Sequence, residues 1–393
     1  MCSVWSVRLS RSPQWAMRCG AGVDRAGVFR LRRSTRVNLL CSLAKVGRPA
    51  RWMPRGLMLM SVALLLTGCT STPMVGLAGP VNEEELRDLA TRYIRSAFHF
   101  PDHPGVRAQA VEAAEDLGPE WLPLIRGALR DEQPAVRFAA CMAIGRLRDH
   151  AALPQIREMV NDPDVSVRVG AYFALERMGD ASYRVTWAEI LKKHENPTVR
   201  RNAALALGQL HDRATLPLLR AVSVRDQDEG VRLQAIEGMA YLGDRQAVSH
   251  FIRDAYGGIG FKQPFALLTL GKVTDERVLP TLRSRLGSSP YLEAKLAAAR
   301  SLGRLGYAEG YDLAIASLNW NSPQPNLPDD PPENQTMRVR SMAAMALGEI
   351  GDPEALPALR ARMQTPDDPR VQLAAARAIL MILQGPAGTS RPT

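Results

Sequence analysis

The sequence predicts an all-α solenoid of repeated helix pairs, on three observations. A segment of the form Val-Arg-x-x-Ala-Ala ending near Gly recurs along residues 82–384. A Leu-Pro pair keeps step with it. Aromatic residues make up only 6% of a chain visibly rich in Ala and Leu, a composition suited to packed helices rather than sheets.

The recurring segment is clearest at Val136-Arg137 through Ile144-Gly145 and Leu147. It returns at Val167-Arg168, Val199-Arg200 with Leu207-Gly208, Val231-Arg232, and Val339-Arg340 with Leu347-Gly348. A weaker copy begins at Val106-Arg107. From Arg107 to Arg232 the arginines are spaced by 30, 31, 32 and 32 residues. The register continues through Gln263 and Lys295, each with a glycine eight residues on (Gly271, Gly303), and a final copy starts near Val371-Gln372. Fixed self-similarity at this period marks a repeat architecture.

Leu-Pro pairs stand at 122–123, 153–154, 216–217, 279–280 and 356–357. Proline suits a first helical turn, where its missing N–H has no helical partner. Each unit therefore divides into a short helix opened by Leu-Pro, a turn with Asp or Asn such as Asn161–Asp164, and a second helix. In that helix Val136, Ala140, Ile144 and Leu147 form one apolar stripe, and the closing glycine is expected to be a left-handed cap. A capping helix is expected near Glu83–Phe98 and a closing helix near Val371–Leu383. Its run Ile379–Leu383 would leave an exposed apolar end available for docking or dimerisation.

The pattern resembles HEAT repeats, particularly the short variety found also in phycobilisome-lyase-like proteins, over about three quarters of the chain. The resemblance implies a right-handed α-solenoid of about eight to nine helix pairs. It also implies a ladder between repeats made by a turn Asp and a helix Arg six residues later. Asp131 with Arg137, Asp162 with Arg168, and Asp226 with Arg232 match, whereas His194 before Arg200 and Asn334 before Arg340 interrupt the pattern. Two units are irregular. One carries Gly257, Gly258, Gly260 and Pro264. The other holds a proline-rich loop insertion over 320–337.

Upstream of the repeats, Arg55, the apolar run Leu57–Leu66 and the sequence Leu66-Thr67-Gly68-Cys69 have the order of a secretory signal. A ten-residue apolar run is too short to span a bilayer, which needs about 20 residues. The stretch resembles a bacterial lipoprotein signal peptide, with residues 53–68 removed and Cys69 lipidated. Residues 69–81 then form a flexible tether to the solenoid at 82–384, and 385–393 a disordered tail. Residues 1–52 are taken as a gene-start artefact or an extended n-region. Thr70, in place of the aspartate that retains many lipoproteins at the inner membrane, points to the outer membrane.

Charge follows the same division. Residues 1–68 hold 12 Lys/Arg and one acidic residue, so the net charge of +10 falls to 38 Lys/Arg against 39 Asp/Glu in the remainder. No positive excess remains to drive nucleic-acid binding. Cys141 is the single cysteine after Cys69 and is expected to be a buried small hydrophobe.

No catalytic residue, metal ligand or cofactor is expected. His99 and His103 are separated by Pro101, and the Gly257–Gly260 turn lacks the strand and Lys-Ser/Thr of a phosphate loop. His194-Glu195 is the one His-Glu pair, against the repeated pairs that hold iron in HEAT-like deoxyhypusine hydroxylase. The sequence thus favours a non-enzymatic, lipid-anchored, periplasm-facing scaffold for another envelope protein, tied to the membrane through Cys69. The alternative is a HEAT-like enzyme or metal-dependent sensor, bilin-lyase-like by fold analogy alone. The candidate grip is a position nine residues past each repeat marker. It holds Arg146, Arg177, Gln209, Tyr241, Lys272, Arg304 and Glu349, with Arg146, Arg177, Tyr241, Lys272 and Arg304 the expected partner-binding residues.

Overall fold

The computed structural model describes residues 82–257, 262–322 and 331–385. The signal segment, Leu66–Cys69, the tether before residue 82, residues 258–261 with Gly258 and Gly260, residues 323–330 of the insertion and the tail from 386 onward lie outside the described residues.

Eighteen α-helices among the described residues pack as nine pairs. In chain order these are α1 (Glu83–Ala97) with α2 (Pro104–Leu117), α3 (Leu122–Gly127) with α4 (Pro134–Leu147), α5 (Leu153–Met159) with α6 (Val165–Arg177), and α7 (Arg184–Lys193) with α8 (Pro197–Gly208). There follow α9 (Leu216–Arg225) with α10 (Glu229–Tyr241), α11 (Arg245–Gly257) with α12 (Lys262–Leu270), and α13 (Val278–Ser288) with α14 (Leu292–Arg304). The last two pairs are α15 (Tyr311–Ser317) with α16 (Pro332–Ile350), and α17 (Leu356–Gln364) with α18 (Pro369–Gln384).

The local signals act as their chemistry requires. Several first helices are entered through one turn of 3-10 helix, and Leu-Pro then places proline where no intrahelical N–H is needed. Second helices are opened by side-chain caps. Asp164, Asn196, Asp228 and Asp368 each accept a backbone N–H of the first turn at 2.7–2.9 Å.

Second helices pack on their own first helix and on neighbouring second helices, so burial spreads beyond one stripe. In α6, Val167 and the run Val169–Leu175 are all buried. A helix apolar on every side is a core helix, and these form the continuous centre of the array.

Three expectations are corrected. The glycines eight residues past the marker are not left-handed caps. They are crossing points where neighbouring second helices touch backbone to backbone. A Cβ on Gly145 would stand 2.8 Å from Ala174 Cα, one on Gly348 2.9 Å from Ala378 Cα, and one on Gly208 would overlap Gly238. The left-handed role falls to Gly179, Gly243, Gly306 and Gly351, whose φ values lie between +76° and +103°.

The second correction concerns the C-terminal apolar run. Ile379, Leu380 and Ile382 are buried, because α18 packs on both α1 and α2. Arg87 donates to the carbonyl of Leu383 at 2.7 Å, Gln384 donates to that of Leu117 at 2.9 Å, and Arg377 pairs with Asp116. The repeat array returns on itself, and the apolar end is covered by its own first pair. Third, residues 332–337 of the expected loop are helical. They open α16, with Gln335 and Met337 buried.

Candidate functional site

Two sets of arginines run along the second helices. The first lies near their N-termini and carries the rungs between repeats. Arg107 donates through Nε and Nη2 to both carboxylate oxygens of Asp131, at 2.8 and 3.0 Å. Arg137 grips Asp162 at 2.8 and 2.9 Å, and Arg200 grips Asp226 at 2.8 and 2.8 Å. Arg340 reaches Asp367 at 2.8 Å.

The carboxylate in each of these pairs belongs to the following repeat. Within its own repeat the arginine binds the backbone instead: Arg137 donates to the carbonyl of Asp131, Arg168 to that of Asp162, and Arg232 to that of Asp226, at 2.7–2.8 Å. His194 therefore does not disable Arg200, which uses the His194 carbonyl at 2.7 Å. It removes the forward carboxylate from Arg168. Burial pushes the Asp226 carboxyl up. Hydrogen bonds from Arg200 and the Asp228 N–H, with the charges of Arg200 and Arg232, outweigh this and hold it below the usual carboxylate range.

The second set is the row at the helix C-termini. Arg146 pairs with Glu115 of α2 and donates to Gln209, itself a row member, at 2.8 Å. At the far end Arg304 and Arg300 share Glu349 at 2.5 and 3.3 Å. Burial pushes the Glu349 carboxyl up, but these two guanidinium groups hold it below its usual range. Tyr241 donates to Glu237 at 2.6 Å, and Lys272 sits 5.7 Å from the centre of the Tyr241 ring. The Arg177 side chain has no hydrogen bond or ion pair among the described residues, and its Nε is buried without an acceptor.

The inner faces of early and late repeats converge. Glu112 of α2, Leu268 of α12, Met342 of α16 and Leu373 of α18 line one cavity of about 60 Å³, room for a few water molecules. Much of the C-terminal row is cross-linked by its own charges. Sequence reasoning missed Glu115 as the partner of Arg146. Its signal is positional: Glu115 stands eight residues past Arg107, where other repeats carry the crossing glycine.

Among the described residues no group of three or more His, Cys, Asp and Glu is arranged to hold a metal ion, and no helix is long and apolar enough to cross a membrane. Cys141 is fully buried, and burial pushes its thiol far above the usual range.

Comparison with known proteins agrees with the architecture. A family model for HEAT repeats matches residues 97–176, 184–253 and 333–380, slightly over half of the chain. No curated protein sequence matches. Similar solved structures include human deoxyhypusine hydroxylase in complex with glycerol, at 18% identity over 77% of this chain and 99% of that one, with a TM-score of 0.34. Another is the complex of CpcE and CpcF of phycocyanin lyase from Nostoc sp. PCC7120, at 16% identity over 68% and 97%, with a TM-score of 0.39. With its paired helices, its inter-repeat Arg–Asp rungs and more than half its length matched, the chain belongs to the HEAT-repeat proteins.

Proposed function

We propose that this protein is a non-enzymatic scaffold, anchored in the cell envelope by lipid on Cys69 and facing the periplasm, that recruits another envelope protein. The observation that supports it most is the inner face. Its polar side chains are held in place by bonds to one another across repeats, from Arg146 with Glu115 and Gln209 to Arg304 with Glu349. Such a surface is preorganised, and recognition on it avoids much of the cost of ordering flexible groups. The Leu66–Cys69 motif supplies the anchor, with the outer membrane as its destination.

Growth of the host with an alkyne-tagged fatty acid tests the anchor. The wild-type chain is expected to take up label and fractionate with membranes, and Cys69→Ser to lose both. An unlabelled wild-type chain overturns the anchor. Crosslinking in intact envelopes, followed by affinity capture of the full chain, tests the scaffold. One envelope protein is expected in stoichiometric yield; its absence overturns the reading. Charge reversal at Arg146 or Arg304 is a poor probe, because a new glutamate would face Glu115 or Glu349 and disturb the frame itself.

A further inference from the structure

Among the basic members of the C-terminal row, Arg177 differs from its neighbours in kind. Arg146 and Arg304 are committed to carboxylates, and Lys272 lies over an aromatic ring. Arg177 is half-buried, its Nε is shut away from solvent with no acceptor, and among the described residues its guanidinium meets no carboxylate or carbonyl. The charge acting on it is Arg148, of like sign, which is exposed at the end of α4 in the left-handed conformation with φ 51°.

A cation at a helix C-terminus often serves the last carbonyls of that helix. Here the guanidinium makes no such bond, and carbonyls of the last turn already accept backbone N–H groups. The carbonyls of Ala174 and Leu175 accept from the N–H of Met178, Leu175 also from Asp180, and that of Glu176 from Gly179. The carbonyls of Ile144 and Gly145 are likewise occupied by the N–H groups of Asp149 and Arg148. The Nη groups of Arg177 have no protein acceptor among the described residues and a second cation beside them, an arrangement that an incoming anion completes.

We propose that Arg177, with Arg148, is the anion-binding point of this surface and takes a side-chain carboxylate from an acidic segment of the partner protein. The inference deepens the scaffold reading and rests on it. Burial, and second to it the charge of Arg148, draw the Arg177 pKa down, in keeping with a group short of negative charge. The two Nη groups of its planar guanidinium can engage a carboxylate end-on through two parallel bonds.

The test uses the full-length protein and labelled hexaglutamate, with hexaglutamine and free citrate as comparison probes, followed by fluorescence anisotropy at low and high salt. Hexaglutamate is expected to bind, to weaken with salt, and to lose at least tenfold affinity in Arg177→Gln and severalfold in Arg148→Gln. Arg213→Gln, a change at an exposed arginine elsewhere, should leave it unaltered. Thermal melting supplies the readout that a purely structural role would move: Arg177→Gln should melt at or above the wild-type temperature. Hexaglutamate binding that is absent, or indifferent to Arg177→Gln, overturns the proposal, as does a clear drop in melting temperature. Citrate competing as well as hexaglutamate overturns the acidic-segment assignment in favour of a small free anion. Envelope capture that persists in Arg177→Gln sinks this site and leaves the scaffold standing. Hexaglutamate binding through Arg177 without any captured envelope protein sinks the scaffold alone.

Discussion

Helix α10 has two neighbours among the second helices, and the two junctions are built differently. Toward α8 it meets backbone with backbone, Gly238 against Gly208, and the Arg200–Asp226 pair spans the same joint at 2.8 Å. Toward α12 the helices are joined through side chains. Thr269 donates to Glu237 at 3.2 Å, and Lys262 pairs with Glu229 at 2.7 Å. Among the described residues the side chain of Arg232, which holds the place of Arg200 one repeat later, bonds only the carbonyls of Asp226 and Gln227. The first junction carries the repeat's full signature of Gly, Arg and Asp. The second falls at the unit where Gln263 replaces the marker arginine. One helix thus shows both outcomes, and the difference teaches that the signature residues determine how closely adjacent repeats approach.

The largest expected effect separates the two junctions by charge. Arg200→Met leaves the buried Asp226 unpaired and should lower stability by about 3 kcal/mol. Arg232→Met removes only hydrogen bonds to carbonyls and should cost about 1 kcal/mol. Chemical denaturation of both variants measures the contrast, and equal losses would break it.

Next in size is the glycine contact. Gly208→Ala places a Cβ against the Gly238 backbone and should cost about 1–3 kcal/mol. Thr269→Val on the other side should cost no more than about 1 kcal/mol, since Glu237 keeps Tyr241 and Gln234. Thermal melts of the two single variants compare these directly.

The rung should also show a pH signature. The folded-state pKa of Asp226 is depressed, so its contribution is complete above the unfolded value of about 3.9 and is lost as pH falls through the folded value. The stability gap between wild type and Arg200→Met should be full at neutral pH and shrink below about pH 4. A gap independent of pH would remove Asp226 as its source. The smallest effect is expected for Lys262→Met, where Lys262 is partly and Glu229 largely exposed. It should cost under about 1 kcal/mol and fade with salt, as denaturation at two ionic strengths would show.

Much of this was legible in the residues. Leu-Pro marked the start of first helices, the marker arginines marked the second, and the Asp or Asn of the turns capped them, because each depends on a backbone requirement met within a few residues. The ladder residues were legible as types, but not the direction of their pairing. Asp162 lies six residues before Arg168, yet its carboxylate is held by Arg137 of the preceding repeat. The glycines were visible, but their use was not: Gly208 looks like a cap until Gly238 is brought against it. The basic row was visible as well, but whether each cation is engaged depends on carboxylates from other helices. Glu115 lies 31 residues before Arg146, and Glu349 lies 45 after Arg304.

By itself the sequence determined the helix pairs, their period, their caps and the apolar faces they must bury. Those follow from interactions a few residues long, repeated in register. Tertiary structure alone decided that the last helix covers the first two, which buries Ile379 and Leu380 rather than presenting them. It alone decided that, among the described residues, most of the inner-face charge is paired while the Arg177 side chain is not. Closure depends on small rotations summed over nine helix pairs, and pairing depends on which side chains that sum brings within reach. No local pattern encodes either.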